Sequence, residues 1–199
     1  MTAVVAPIVS ALRERKHGKV SVELDGRPWR VLPTVAVVRA GLAVGRSLDR
    51  PTARGLAREV RRAKALAAAT RSLAASDRSR RALDQRLARA GHSAAAREDA
   101  IASLARAGSL DDARLAEGRA ELLARRGYGD AAIRADLRRR QIEPDTVADA
   151  VAALEAERDR AGRLVEGQSV TPALLRRLAG RGFSRDTLDE IASSFALDA

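Results

Sequence analysis

The sequence predicts a mostly α-helical fold, with tandem three-helix repeats in an elongated curved array behind a small N-terminal β-hairpin module. One helical pattern occurs three times after residue 78, with apolar residues three and four positions apart, a spacing that places side chains on one helix face. Each copy spans about 40 to 50 residues, so neighbouring copies must stack to complete a core. Polar and apolar residues alternate only in the first fifty residues, which predicts strands there.

The first fifty residues are interpreted as a hairpin module with one short helix. Asp25-Gly26 is a strong two-residue turn signal, and apolar residues alternate with polar ones on both sides of it. The alternating residues are Val20, Val22, Leu24, Trp29 and Val31. Residues 8–12 can add a third strand, and a short helix is expected from Pro33 to Ala40.

A long helix of alanine and arginine is predicted from Thr52 to about Ala75. Its thin apolar stripe consists of Leu56, Val60, Ala63, Ala67 and Ala74. Residues 50–90 contain 12 basic residues and three acidic ones, whereas residues 101–199 contain 16 basic and 17 acidic residues. Such a concentrated positive field favours an anionic partner, either nucleic acid or an acidic protein groove. The alternative is a solvated helix face with uncompensated arginines.

The repeats are recognised by paired apolar residues followed by a helix-ending position. The pairs are Leu83 and Leu87, Ile133 and Leu137, and Leu174 and Leu178, and the helix-ending positions are Gly91, Gln141 and Gly182. A glycine or polar residue at such a position suits a C-cap. We therefore expect five segments: residues 1–50 (hairpin module), 51–76 (basic connecting helix), 77–127 (repeat 1), 128–167 (repeat 2) and 168–199 (a truncated repeat 3).

Several aspartates are candidates for helix caps or for chemistry. Asp77 or Ser79 is expected to cap the first helix of repeat 1, and Asp111 or Asp112 to cap a third helix that runs through Arg125. Paired carboxylates could also hold a metal or transfer protons, but helix N-termini attract aspartate for capping and dipole reasons alone. No other cluster has metal spacing, a phosphate-cradling glycine loop or a nucleophile–base pattern. We predict a binding protein without cofactor or metal, not an enzyme.

The composition indicates a soluble protein of a reducing compartment. The chain contains no cysteine, which is compatible with the cytoplasm. No apolar run approaches the roughly 20 residues that span a bilayer, and the first ten residues lack the basic segment that precedes the apolar part of a signal peptide. A cytoplasmic monomer without a membrane partner is expected.

Two stretches carry a resemblance to a known family. Residues 108–116, followed by Arg126-Gly127-Tyr128-Gly129 and by the apolar residues of repeat 2, resemble the RecX family of bacterial recombination regulators. The start of repeat 1 at Arg78-Ser79 is similar to that family's first repeat, and the Leu24-Asp25-Gly26 hairpin is similar to an additional module of many Gram-positive members. The resemblance covers residues 8–197. It departs at Leu115 and Arg119 (usually aromatic), Leu123 (often basic) and Gln141 (usually glycine).

The resemblance implies both an architecture and a function. The architecture is a nine-helix array of three three-helix units, here preceded by the hairpin module. The function is to lie in the groove of the RecA–single-stranded DNA filament and to inhibit RecA ATPase and strand exchange. Such a protein modulates homologous recombination and DNA repair within the SOS response. Its partners are then the RecA filament and the single-stranded DNA inside it, with weak binding to duplex DNA.

Arginines of the basic region and of the turn before repeat 2 are the predicted contacts to RecA or DNA. They are, with one tyrosine, Arg58, Arg61, Arg62, Arg71, Arg78, Arg81, Arg126, Tyr128, Arg134 and Arg138. Tyrosine and arginine concentrate binding energy at interfaces, and Arg134 and Arg138, four residues apart, share one helix face. The alternative for Tyr128 is a position packed under the following helix.

Two other functions fit the sequence less well. A stand-alone DNA-binding protein would use its short helices as helix-turn-helix units, and a general scaffold would bind some other protein. Base readout needs polar side chains at the start of a recognition helix. The second helices of repeats 2 and 3 start with Glu143-Pro144-Asp145 and Ser184-Arg185-Asp186, and these acidic residues oppose entry into a DNA groove.

Overall fold

The computed structural model describes residues 6–197, with side chains through residue 194. It confirms the mostly helical fold with a small antiparallel sheet at the N-terminus. The elements are β1 Val9–Arg15, β2 Lys19–Leu24, β3 Arg27–Pro33, α1 Thr34–Arg39, α2 Arg50–Ala75, α3 Arg80–Arg89, α4 Ala94–Arg106, α5 Asp112–Arg125, α6 Asp130–Arg139, α7 Pro144–Ala152, α8 Glu157–Val165, α9 Pro172–Gly180 and α10 Arg185–Leu197.

The chain folds as two compact units. Unit 1 runs through Ser76 and resumes at Leu83–Ser109, and unit 2 comprises Asp77–Ala82 and the chain from Leu110 onward. The division therefore passes through α3, whose first residues pack with the later repeats.

The sheet of unit 1 has the strand order β1-β2-β3, and both pairs are antiparallel. Asp25 (φ 48°) and Gly26 (φ 77°) both adopt left-handed backbone conformations, as a tight two-residue hairpin requires. The third strand expected near residues 8–12 is β1. Apolar side chains from all three strands pack in one cluster with Val37 of α1 and Leu56 of α2.

The long helix α2 differs from its prediction in the face that it buries. Asp49 caps it by accepting a hydrogen bond from the Thr52 N–H at 2.8 Å. Leu56 is buried as expected, but Ala67 and Ala74 are exposed. The buried residues of the second half are Ala65, Ala69 and Ser72. In a run of alanines no difference in side-chain size marks the inner face, and the packing of α4 against α2 decides it.

The three repeats are confirmed in their apolar positions and their caps. Each of the six paired apolar residues is at most 7% exposed. The helix-ending residues all adopt left-handed conformations, with φ of 81° at Gly91, 60° at Gln141 and 86° at Gly182. Within its predicted bounds, repeat 3 contains two helices, α9 and α10. Counted from α2, the described part has nine helices after α1, the number that the resemblance implies, and α2 packs on α4, α5 on α7 and α8 on α10.

Within unit 2, the first helix of one repeat begins on the C-terminal cap of the first helix in the next repeat. At the first such junction, the Ser79 hydroxyl donates to the Arg140 carbonyl at 2.6 Å and accepts from the Ala82 N–H at 3.2 Å. Ser79, rather than Asp77, is thus the N-cap of α3. At the second junction, the Gly129 N–H donates to the Arg181 carbonyl at 3.0 Å.

The two junctions differ in how closely their backbones approach. A Cβ atom on Gly129 would overlap the Gly182 carbonyl group, and one on Gly182 would lie 2.5 Å from the Ala132 nitrogen. The second junction is therefore a contact of main chain on main chain. At the first junction, the equivalent positions are Ser79 and Gln141, and the Ser79 hydroxyl makes the contact to the Arg140 carbonyl.

Both paired aspartates are helix caps, but they cap two different helices, whereas the sequence predicted a cap only for the helix that runs through Arg125. Asp111 accepts from the N–H groups of Ala113 and Arg114 at 3.1 Å each, which caps α5. Asp112 accepts from the Arg80 N–H at 2.9 Å and so caps α3. Burial raises the pKa of Asp112. In repeat 2, Glu157 has the same place and accepts from the Asp130 N–H at 2.6 Å.

Candidate functional site

The first candidate surface lies on α2. Five of its exposed cations are Arg54, Arg58, Arg61, Lys64 and Arg71, and we call this set the α2 basic surface. None of the five forms an ion pair with any described residue within 4.0 Å. Alanine fills the buried face of the helix, while arginine is a good helix former that extends its charge into solvent. The surface is thus available to an anionic partner.

Arg62 has a different place from the other predicted residues of α2. Its Nη1 atom lies 2.9 Å from Glu59, and its Nε donates to Asp99 of α4. These two hydrogen bonds raise the pKa of Arg62. The side chain therefore connects α2 with α4, and its charge is compensated within unit 1.

The second candidate surface surrounds Tyr128, between α5 and α6. The tyrosine is 39% exposed, which disfavours the alternative in which it packs under the following helix. Its carbonyl oxygen accepts a hydrogen bond from Arg160 Nη1 at 3.1 Å. Arg160 is only 6% exposed; it also donates to the Glu155 carbonyl at 2.9 Å and pairs with Asp130. The turn is fixed through its backbone while the ring remains accessible.

Four arginines accompany Tyr128. Arg126 and Arg138 are exposed, and Arg134 lies 3.4 Å from Asp130. The sequence did not indicate Arg181. The structure places its Nη1 beside this turn, because a Cβ atom added to Gly127 would lie 2.9 Å from it. We call Arg126, Tyr128, Arg134, Arg138 and Arg181 the tyrosine patch. Arg181 occupies the same position in repeat 3 as Arg140 in repeat 2. The signal for Arg181 was therefore the contact of each repeat with the helix cap of the next repeat.

The two remaining predicted residues flank the start of α3. Arg78 is half-buried, and its Nε has no hydrogen-bond partner among the described residues. Arg81 is largely exposed and lies 3.7 Å from Glu143. Of the ten predicted residues, those at positions 58–71 lie in unit 1 and those at positions 78–138 in unit 2.

Arg119, a departure from the RecX pattern, is used inside the fold. Its Nε and Nη2 atoms contact the two carboxylate oxygens of Asp136 at 2.8 and 3.2 Å, and Arg140 Nε lies 3.0 Å from the same carboxylate. The Arg119 hydrogen bonds, aided by Arg140, hold the pKa of Asp136 well below its usual range. Arg119 thus connects α5 with α6 instead of presenting a free charge. The other departures on this helix also face inward: Leu123 is buried, and Leu115 packs partly buried against the same core.

The Asp136 cluster predicts a pH-dependent contribution to stability. Because the folded-state pKa is depressed, the stabilisation is fully present above the unfolded pKa of about 3.9 and is lost as pH falls toward the folded value. We expect Asp136→Asn to lower the free energy of unfolding at pH 7 by about 1–2 kcal/mol, allowing for solvent screening.

Urea denaturation of both proteins from pH 7 to pH 2 measures this effect. The difference between wild type and variant should narrow below about pH 4, where the unfolded carboxyl protonates. A constant difference over this range would show that the charge of Asp136 contributes nothing.

Membrane-spanning helices and metal sites are two features that would indicate other protein classes. Within residues 6–197, no helix combines the length and the apolarity needed to cross a bilayer. The same residues contain no group of three or more acidic or histidine side chains placed to hold a metal ion. A small sheet followed by stacked short helices, with arginines and one tyrosine on the surface, defines a helical-repeat protein.

The comparisons confirm the resemblance to the RecX family. The model of the RecX second three-helix domain matches residues 111–151, which hold α5, α6 and most of α7. A crystal structure of the regulatory protein RecX is 19% identical and covers 94% of this chain and 99% of its own, with a TM-score of 0.77. RecX from Lactobacillus salivarius is 19% identical and covers 69% of this chain and 97% of its own, with a TM-score of 0.61. No curated protein sequence matches the chain.

Proposed function

We propose that this protein binds the RecA–single-stranded DNA filament and inhibits RecA ATPase and strand exchange, as a cytoplasmic regulator without catalytic activity of its own. The observation that carries the proposal is the RecX fold over nearly the whole chain, together with an accessible Tyr128 at the turn that the family model includes. The tyrosine patch serves as the protein contact. The α2 basic surface adds an electrostatic attraction to the anionic filament.

Binding to three targets tests the proposal. A chain that contacts several RecA protomers gains avidity from the assembled filament, so affinity should fall in the order filament, free RecA, bare DNA. Inhibition of DNA-dependent ATP hydrolysis should follow filament binding. Equal affinity for filament and bare DNA, without inhibition, would favour the stand-alone DNA-binding protein instead.

Tyr128→Ala examines the tyrosine patch directly. We expect inhibition of RecA to weaken at least tenfold, about 1.4 kcal/mol of binding free energy, because an exposed tyrosine among arginines is typical of an interface anchor. The melting temperature should change little, since the ring is accessible and the turn is fixed through its backbone. ATPase inhibition and thermal unfolding are measured on the same preparations.

Trp29→Ala is the matched control, because Trp29 is an aromatic residue of nearly equal exposure (38%) on the hairpin module. Its inhibition constant should remain within about twofold of wild type. If both variants weaken inhibition equally, exposed aromatic area rather than the tyrosine patch carries binding. A large loss of stability in Tyr128→Ala would restore the packing interpretation.

A further inference from the structure

An open cavity of about 450 Å³ lies between the C-terminal halves of α2 and α3 within unit 1. Arg71 and Ser72 of α2 line one side, and Arg86 and Arg89 of α3 line the other. Leu87 and small alanine side chains complete the wall. Every charged side chain that lines the cavity is an arginine, so the charge that lines it is positive.

The three arginines are not engaged elsewhere. None of them forms an ion pair or a side-chain hydrogen bond with a residue in the described part of the chain. They are also not needed to cap α3, because backbone N–H groups already satisfy its last carbonyls. Ala90 donates to the Arg86 carbonyl at 3.1 Å, Gly91 to that of Ala88 at 2.9 Å and His92 to that of Leu87 at 3.1 Å.

Ser72 gives an independent indication of a ligand. The residue is 6% exposed, and its hydroxyl oxygen is buried without a hydrogen-bond partner among the described residues. A hydroxyl in a helix can donate to the carbonyl four residues earlier, as Thr70 does to Leu66 at 3.0 Å. Ser72 does not, and an unsatisfied buried hydroxyl is costly. A change of the χ1 rotamer that brings the hydroxyl to an acceptor oxygen inside the cavity would remove that cost.

The donors identify the chemistry of the ligand. Three guanidinium groups and one hydroxyl match a group with several anionic oxygens, and arginine binds phosphate in this way. The volume falls within the range of about 300–1,000 Å³ that is typical of ligand sites. No aromatic side chain lines the cavity, so it offers no surface on which a base could stack. Arg71 belongs to the α2 basic surface as well, which continues the positive charge along the helix.

We infer that this cavity binds a backbone phosphate of single-stranded DNA. The inference deepens the DNA contact of the proposed function. It is tested on bare DNA without RecA, so its failure is distinguishable from a failure of filament regulation. The phosphodiester enters from the open side, with Arg71 on one flank and Arg86 and Arg89 on the other. On binding, the Ser72 side chain changes its χ1 rotamer and donates to a phosphate oxygen.

Fluorescence anisotropy of a labelled oligothymidylate, titrated with the full chain at several salt concentrations, tests the site. The triple variant Arg71→Gln, Arg86→Gln and Arg89→Gln should bind at least tenfold more weakly at low salt. Its salt slope should fall by roughly 0.7, the value for one phosphate contact on a single strand. The control triple Arg15→Gln, Lys16→Gln and Arg27→Gln removes the same charge from the hairpin module. Its affinity should stay within about threefold of wild type; equal weakening by both triples would overturn the site.

Ser72→Ala separates a ligand contact from a structural role. Alanine is the better helix former and removes an unsatisfied hydroxyl, so the melting temperature should not fall, while oligonucleotide affinity should drop about threefold. An abasic oligonucleotide of equal length should bind within twofold of oligothymidylate. Unchanged affinity in Ser72→Ala would overturn the inference. The inference would also be overturned if the wild-type chain bound ATP and the triple variant lost ATP binding but kept oligonucleotide binding. The site would then bind a free nucleotide.

Discussion

Gly129→Ala is expected to destabilise the fold by about 3 kcal/mol or more, the upper range for overpacking a tightly packed position. The new methyl group would overlap the main chain at Gly182. A flexible side chain could move aside, but here the obstacle is a backbone hydrogen-bonded to the start of α6. The hydrogen bonds from Gly129 to Arg181 and from Ala131 to Gly182, at 3.0 and 3.1 Å, would have to lengthen or break.

Chemical denaturation measures this loss, and two other glycines serve as controls. Gly118 in α5 and Gly162 in α8 have no atom within 4 Å of an added Cβ. Alanine there should stabilise the fold by about 0.5–1 kcal/mol, because alanine is the better helix former. If Gly129→Ala behaved like these controls, the main-chain contact between repeats 2 and 3 would be refuted.

Arg160→Met is expected to cost about 3–5 kcal/mol, as for other buried ion pairs that lose one partner. Arg160 is the only charged residue among the buried residues of the described part. Its removal leaves the Tyr128 and Glu155 carbonyls without this donor and removes the buried partner of Asp130. Methionine retains much of the apolar volume, so the loss arises from unpaired polar groups rather than from a cavity.

A second variant in the same helix shows whether burial is the cause. Arg163 also pairs with a carboxylate, that of Glu155, but its side chain is 59% exposed. Arg163→Met should therefore change the urea midpoint far less than Arg160→Met. Adding Asp130→Asn to Arg160→Met should recover part of the loss, because the carboxylate that has lost its buried partner and keeps only Arg134 at 3.4 Å is then neutral. Equal effects of the two single variants would contradict the conclusion that the burial of Arg160 makes its hydrogen bonds important for stability.

The repeat pattern was predictable because leucine and isoleucine differ strongly from their neighbours in size and polarity. The same reasoning located the left-handed caps, including the one at Gln141, since a position that ends a helix in three copies has one backbone geometry. It could not locate the buried face of α2. Ala65 and Ala69 are buried and Ala67 is exposed, yet the three residues are chemically identical, and only the neighbouring helix distinguishes them.

The candidate site was less predictable than the fold, because charge in a sequence does not reveal its partner. Arg62 and Arg71 occupy the same helix, but Arg62 is paired with Asp99, 37 residues away in the chain. Arg181 joins the tyrosine patch through a junction between repeats that no local pattern encodes. Ser72 stood out only after its hydroxyl was found buried without a partner.

The two junctions of unit 2 differ, and this difference limits how repeats could be added or reordered in such an array. One junction joins a serine hydroxyl to a carbonyl next to Gln141, and the other joins two glycines. The first helix of repeat 2 therefore takes part in one junction at its N-terminus, through Gly129, and in the other at its C-terminal cap, beside Gln141. These two positions are not interchangeable. If repeat 2 were duplicated in tandem, the Gln141 side chain of one copy would meet the close-packed Gly129 of the other. A longer array of this type would need, at every junction, an N-terminal residue and a C-terminal cap residue of compatible size. These residues therefore determine the order in which the repeats can follow one another.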